Sequence, residues 1–171
     1  DSTVVENNIF WRNNIALYSE NDANNCSILN NSFYQNAEAI VLGTGSQGNK
    51  ILHNTFSLNK DFIIGIRETI GIEFHQNNMF HNVGRENIVF NNTQEDLSIN
   101  NNFWATVVTE EIDRLIYDKK DNLSLGELIY NPFLSLANTI NPISPPYNLI
   151  KQIDGDKLIL TWNANTEVDL M

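Results

Sequence analysis

Three charged side chains occupy equivalent places in this 171-residue chain: Glu38, Asp61 and Arg85 each stand five residues after a phenylalanine, Phe33, Phe56 and Phe80. On consecutive turns of a stacked coil, two such carboxylates would lie near the ~5–5.5 Å separation used for retaining glycoside hydrolysis, and the arginine suits a sugar carboxylate. The same oxygens, joined by turn carbonyls, would also suit a calcium ion. The plainer alternative is a set of solvated turn charges in which Arg85 relieves the Glu38 and Asp61 repulsion. A second set directly follows the phenylalanines: Trp11, Tyr34, Ser57, His81 and Trp104. Because strand side chains alternate, these are expected to point outward. Rings one coil apart could stack on successive sugars, which makes Trp11, Tyr34, His81 and Trp104 candidate carbohydrate-binding residues interrupted by Ser57. The alternative is that the rings shield the sheet and that Trp104 packs under a terminal helix. His53, His75 and His81 do not share a column, so they make no histidine metal site. The lone Cys26 cannot form an internal disulfide and reads as a small core residue.

The elements that position these residues are an internal repeat. V-E-N-N-I-F ends at Phe10, I-L-N-N-S-F at Phe33, I-L-H-N-T-F at Phe56, H-Q-N-N-M-F at Phe80 and S-I-N-N-N-F at Phe103, with spacings of 23, 23, 24 and 23. Two residues before each Phe stands an Asn: Asn8, Asn31, Asn54, Asn78 and Asn101. A short apolar run follows each of the first four, as at Ile15–Leu17, Ile40–Leu42, Ile63–Ile64 and Ile88–Phe90. The unit is too short for a strand-helix-strand crossover, and too rich in β-branched residues and Asn for a helix pair. One turn of a β-coil remains. Stacked ~4.8 Å apart, the turns place the five Phe in one interior column and the five Asn in another. An amide carries both donor and acceptor, so a ladder of Asn satisfies its neighbour and the turn backbone together. That accounts for 29 Asn against 8 Gly and 4 Pro.

Composition narrows the partners. Ten basic residues against 21 acidic ones give a net charge of −11, which opposes nucleic acid and anionic membrane surfaces. No run approaches the ~20 apolar residues of a spanning helix. With 42% hydrophobic residues the chain can bury a real core.

From Asn100 the pattern changes. Thr109 is placed to cap a short helix with Glu110 and Glu111 in its first turn, and Ile112, Leu115 and Ile116 fall on one face. Such a helix would cover the end of the solenoid, and Asn122–Phe133 would follow as a turn and a strand closed by Pro132. Residues 138–146, with Pro142, Pro145 and Pro146, read as an extended linker. Asp154-Gly155 between Pro145–Leu149 and Lys157–Trp162 reads as a hairpin turn, with Leu158, Leu160 and Trp162 alternating. The expected organisation is therefore coils over 1–104, a cap over 105–137, a linker over 138–146 and a further module over 147–171. Residue 1 falls inside a coil and the last module is short, so a piece of a longer modular protein is expected.

The repeat resembles the right-handed parallel β-helix superfamily, the fold of pectate lyases, polygalacturonases and alginate epimerases. The tail, through Trp104 and Leu125–Pro132, is similar to the terminal cap of secreted β-helix proteins, and residues 145–162 resemble the first two strands of a fibronectin type III domain. The resemblance implies an all-β, right-handed parallel β-helix with ~23-residue coils, a capping helix and partial fibronectin type III strands. It further implies a secreted or cell-surface module that binds or helps process polysaccharide, joined to further domains of the same chain, with no cofactor beyond a possible calcium. The catalytic motifs of that superfamily, the G-H-G of polygalacturonases, the R-x-P-x-x-R of pectate lyases and the D-P-H of alginate epimerases, are not present. A lyase or hydrolase whose catalytic residues lie on other coils, and a spacer without a ligand, are the competing expectations.

Overall fold

The computed structural model describes residues 2–19, 22–82 and 87–163. Each ~23-residue unit contributes three short strands. The first gives β1 (Val4–Glu6), β2 (Ile9–Trp11) and β3 (Ile15–Ser19); the second gives β4 (Ser27–Leu29), β5 (Ser32–Tyr34) and β6 (Glu38–Leu42). The third gives β7 (Lys50–Leu52), β8 (Thr55–Ser57) and β9 (Phe62–Arg67), and the fourth β10 (Glu73–His75), β11 (Asn78–Phe80) and β12 (Val89–Asn92). Then come β13 (Leu97–Ser98), α1 (Thr109–Arg114), β14 (Ile116–Tyr117) and β15 (Leu128–Ile129). A separate pair, β16 (Tyr147–Asp154) and β17 (Lys157–Asn163), closes the described chain. Equivalent strands pair in parallel to form three sheets, β1-β4-β7-β10, β2-β5-β8-β11 and β3-β6-β9-β12-β14. The fold is a parallel β-solenoid of about five turns, as the repeat predicts.

Register corrects the sequence reading of the columns. Along the second sheet Phe10 pairs with Phe33, Phe33 with Phe56, and Phe56 with Met79. The interior Phe stack is therefore three rings, with centroids 4.8 and 5.0 Å apart and nearly parallel planes. Phe80 pairs with Ser57 on the outer face, and Phe103 bridges Asn78 beside it, their rings 5.5 Å apart. Trp104 then takes the interior position above Met79 and is 2% exposed within the core. Because side chains alternate, this one-residue slip turns Phe80 and Phe103 outward and Trp104 inward, while Ile88 and Val89 stay in the core.

The Asn ladder slips in the same way. It runs Asn8, Asn31, Asn54, Asn77 and Asn102, not through Asn78 and Asn101. Each of the first four donates its backbone N–H, at 2.9 Å, and its side-chain Nδ2, at 3.0–3.3 Å, to the Oδ1 of the next. A second ladder, Asn13, Asn36, Asn59 and Asn82, turns the next corner by the same bonds. Just before each ladder residue the backbone enters the left-handed region, at Asn7, Asn30, His53, Gln76 and Asn101 for the first and at Arg12, Gln35, Leu58 and His81 for the second. Asn itself fills some of these left-handed positions, at Asn7, Asn30 and Asn101. The recurring Asn, however, is the residue after the corner, where its amide can reach the neighbouring coil.

The end of the stack is closed from within the chain. Ile112 of α1 is fully buried with Ile88, Val89, Leu115 and Ile116 in the core, while β14 extends the third sheet and β15 pairs with β13. Val108, not Thr109, is the residue preceding the helix, and it supplies no side-chain cap. Instead the Thr106 hydroxyl accepts from the Val108 N–H and bonds the Glu111 carboxylate. Lys120 and Tyr130 both bond the Asp113 carboxylate, at 2.6 and 3.1 Å, tying α1 to the segment after it.

Residues 138–146, expected as an extended linker, lie along the outer face of the second sheet. Asn138 and Asn78 exchange two bonds, of 2.8 and 2.9 Å. Asn141 donates to the Gln76 carbonyl at 2.8 Å, and Ser144 meets Ser57 at 2.5 Å between hydroxyl oxygens. The strap turns its amides to the sheet and leaves Ile140 and Ile143 exposed. Beyond it, β16 and β17 form an antiparallel hairpin whose turn residues are Gly155, at φ +58°, and Asp156, with Asp154 paired to Lys157. Ile153, Leu158, Leu160 and Trp162 are all exposed.

Candidate functional site

The predicted outward aromatic column is divided by the fold. Trp11 is 55% exposed on the outer face of β2. Tyr34, its partner on the next coil, is only 3% exposed, and Ser57 beyond it is covered by Ser144 of the strap. His81 is not in this column; Phe80 holds its place, and His81 is the exposed corner residue that follows. Trp104 faces the core, edge-on to Tyr130 with centroids 6.3 Å apart. Of the four ring candidates, the fold leaves Trp11 and His81 open to solvent.

Glu38 and Asp61 do occupy equivalent places on consecutive coils. The Glu38 N–H donates to the Asn14 carbonyl and the Asp61 N–H to the Ala37 carbonyl, at 2.9 and 2.8 Å. Strand pairing nevertheless sets Phe62 against Glu38, so Asp61 and Phe62 together oppose one residue and make a small bulge. Arg85 lies outside the described residues. Among the described residues no cluster of three or more His, Cys, Asp or Glu side chains could hold a metal ion. His53 sits at a left-handed corner, 3.4 Å from the Asn138 amide, and His75 lies 3.9 Å from Glu73, which pairs with Lys50 at 2.9 Å.

A feature the sequence reading did not assemble lies beside Trp11. The corner between the second and third sheets holds a groove of about 680 Å³ across the first three coils, lined by Arg12, Asn13, Asn14, Gln35, Leu58 and Lys60. Its geometry is set by one acceptor. The Gln35 Oε1 takes the Trp11 indole N–H at 3.3 Å and the Arg12 Nε–H at 3.1 Å. The Arg12 guanidinium also lies 4.7 Å from the centre of the Trp11 ring, a cation–π contact. One ring face is thus taken by Arg12, and the guanidinium is fixed at its Nε side with its terminal nitrogens left over. Below, the Asn13-Asn36-Asn59-Asn82 ladder holds the corner at constant register. Lys60 closes the other end, its N–H bonded to the Asn36 carbonyl at 2.8 Å. The sequence signal for this site was the corner column itself, Arg12, Gln35 and Leu58 at intervals of 23.

The outer face of the third sheet carries a second group missed in the sequence, Phe62, Phe90 and Tyr117. Centroids are 5.8 Å apart for the first pair and 5.0 Å for the second, which is stacked. Phe62 also covers Gly65, where an added Cβ would sit 2.9 Å from its ring. These rings pack on one another, Phe90 and Tyr117 stacked and Phe62 tilted by 50° against Phe90, which suits shielding of the sheet more than stacking on a ligand.

Comparison of the chain with protein-family models, with curated proteins and with solved structures found no match. The parallel β-solenoid is established by its own strand pairing.

Proposed function

We propose that this solenoid is the carbohydrate-binding part of a secreted or cell-surface protein, with a glycan chain lying in the corner groove and Trp11 at its rim. The observation that supports this most is the Gln35 bridge, which holds an indole and a guanidinium in one arrangement before any ligand arrives. Preorganisation of this kind lowers the entropy lost on binding, and an amphipathic ring beside polar donors is the chemistry sugars use. The hairpin of β16 and β17 fits the same reading as the opening of a fibronectin type III module, an appendage suited to extracellular multidomain chains. Among the described residues no helix is long and apolar enough to cross a membrane.

The test is a screen of the purified chain against neutral and acidic glycans, with Trp11→Ala and Gln35→Ala alongside. Binding that both substitutions weaken, at unchanged melting temperature, supports the groove. Absence of binding to every glycan, or binding indifferent to both substitutions, overturns it.

A further inference from the structure

We propose that the groove selects an anionic glycan in which every second sugar carries the charge, lying along the solenoid axis. This rests on the glycan reading above and adds the class of polymer. Acidic residues outnumber basic ones 21 to 10 in this chain, yet the groove is lined by two cations, Arg12 and Lys60. Neither makes an ion pair among the described residues: Arg12 spends its Nε on Gln35 and its face on Trp11, and the Lys60 ammonium has no side-chain partner. Both are therefore available to a ligand anion. Arg12 belongs to the first coil and Lys60 to the third, so two coil steps of ~4.8 Å separate them, ~9.6 Å along the axis. The coil between them lines the groove with Gln35 and Ala37, both uncharged.

A pyranose in an extended glycan is about as long as one strand-to-strand step of ~4.8 Å, so consecutive sugars can follow consecutive coils. Charge then meets charge at the first and third sugar and a neutral unit lies against Gln35 and Ala37. A polymer charged at every sugar would set its middle carboxylate against Gln35 and Ala37, with no cation to receive it. The net charge of −11 opposes any polyanion at long range, but at 0.15 M salt that field is screened beyond ~8 Å while the groove contacts are not. The guanidinium can form a bidentate pair with a carboxylate, whereas Lys60 acts as a point charge.

The experiment is calorimetric titration at 0.15 M salt with three oligosaccharides of equal length: hyaluronan, charged at alternate sugars; polygalacturonate, charged at every sugar; and uncharged dextran. Hyaluronan is expected to bind most tightly, and Arg12→Gln and Lys60→Gln should each weaken it about threefold, the scale of one exposed ion pair. Ala37→Lys, which adds a cation to the middle coil, should raise polygalacturonate binding and leave dextran unchanged. Thermal melts of each variant confirm folding. Tighter binding of polygalacturonate by the unsubstituted chain overturns the alternation. Equal binding of dextran, lost in Trp11→Ala but indifferent to Arg12→Gln and Lys60→Gln, overturns the charge selection and leaves the glycan reading standing. Silence toward all three oligosaccharides overturns the alternation, and the broader glycan screen then decides the glycan reading separately.

Discussion

Replacing Asn54 by alanine tests whether the ladder holds the solenoid together. Asn54 is fully buried at the middle of five rungs. Its Oδ1 accepts from the Asn31 N–H at 2.9 Å and the Asn31 Nδ2 at 3.1 Å. Its Nδ2 donates to the Ile28 and Leu52 carbonyls and to Asn77. Alanine leaves the buried Asn31 N–H without its acceptor, a penalty of about 1–3 kcal/mol, and removes donors from two carbonyls at roughly 1 kcal/mol each. The sum is about 3–5 kcal/mol. In equilibrium urea unfolding, with m of about 2 kcal/mol/M, the midpoint should fall by roughly 2 M. Asn8→Ala is the control. Asn8 is exposed, and no described residue donates to its Oδ1, so its loss should cost under about 1 kcal/mol. Asn54→Asp keeps an acceptor for Asn31 but points oxygen at the Ile28 and Leu52 carbonyls and buries a charge, so it should be no better than alanine. Equal midpoint shifts for Asn54→Ala and Asn8→Ala, or a wild-type midpoint for Asn54→Asp, would refute the argument that stacked amides carry the stability.

Three further outcomes follow from the packing. Gly126→Ala should cost about 3 kcal/mol or more in urea unfolding, because its Cβ would lie 1.9 Å from the Glu95 carbonyl oxygen, whereas Gly65→Ala meets only the movable Phe62 ring and should cost far less. Asn78→Ala removes the side chain that makes both bonds to the Asn138 backbone, so hydrogen exchange over residues 138–146 should quicken while β5 and β8 stay protected; unchanged exchange in the strap would count against it. Lys120 titrates above its usual value, chiefly through its hydrogen bond to Asp113, and Tyr130 above its own, chiefly through burial and then the same carboxylate. In both, the folded form holds its proton more tightly, so their contribution is complete below the unfolded values of 10.0 and 10.5 and is lost as pH rises through the folded ones. Thermal melts from pH 9 to 11.5 should therefore show a decline that Tyr130→Phe lessens.

The period was legible because phenylalanine and asparagine recur together, and a parallel stack needs one period for all its columns. The face each residue takes was less so. Asn77 and Asn78, or Asn100, Asn101 and Asn102, are adjacent amides, and spacing alone does not say which enters the ladder. What decides is the left-handed residue before it, Gln76 or Asn101, whose conformation is fixed by contact with the neighbouring coil. The Phe spacing of 24 before Phe80 marked the slip, but Phe103, 23 residues later, hid it, since the ladder itself advances by 25 there, from Asn77 to Asn102. The strap over 138–146 left no periodic trace. It is held by Asn138, Asn141 and Ser144 meeting partners up to 87 positions away, and local pattern carries no information about such pairs.

The two kinds of corner residue explain where recognition can be written on such a fold. At the second corner the ladder position is Asn on four successive coils, because its side chain makes the bonds that join them. The position before it runs Arg12, Gln35, Leu58 and His81, four unrelated side chains, yet the coil turns the same way at each. The reason is that these residues serve the fold through the backbone alone. Their N–H groups donate to the Tyr34, Ser57 and Phe80 carbonyls of the next coil at 3.1–3.2 Å for the first three. Side chains there are exempt from the repeat and also project from a corner, while the second sheet from Ser57 on is covered by the strap and the third by its own rings. A solenoid that must repeat its interior can vary only where the backbone does the joining, and in this chain the groove with Arg12 and Gln35 is built from that column.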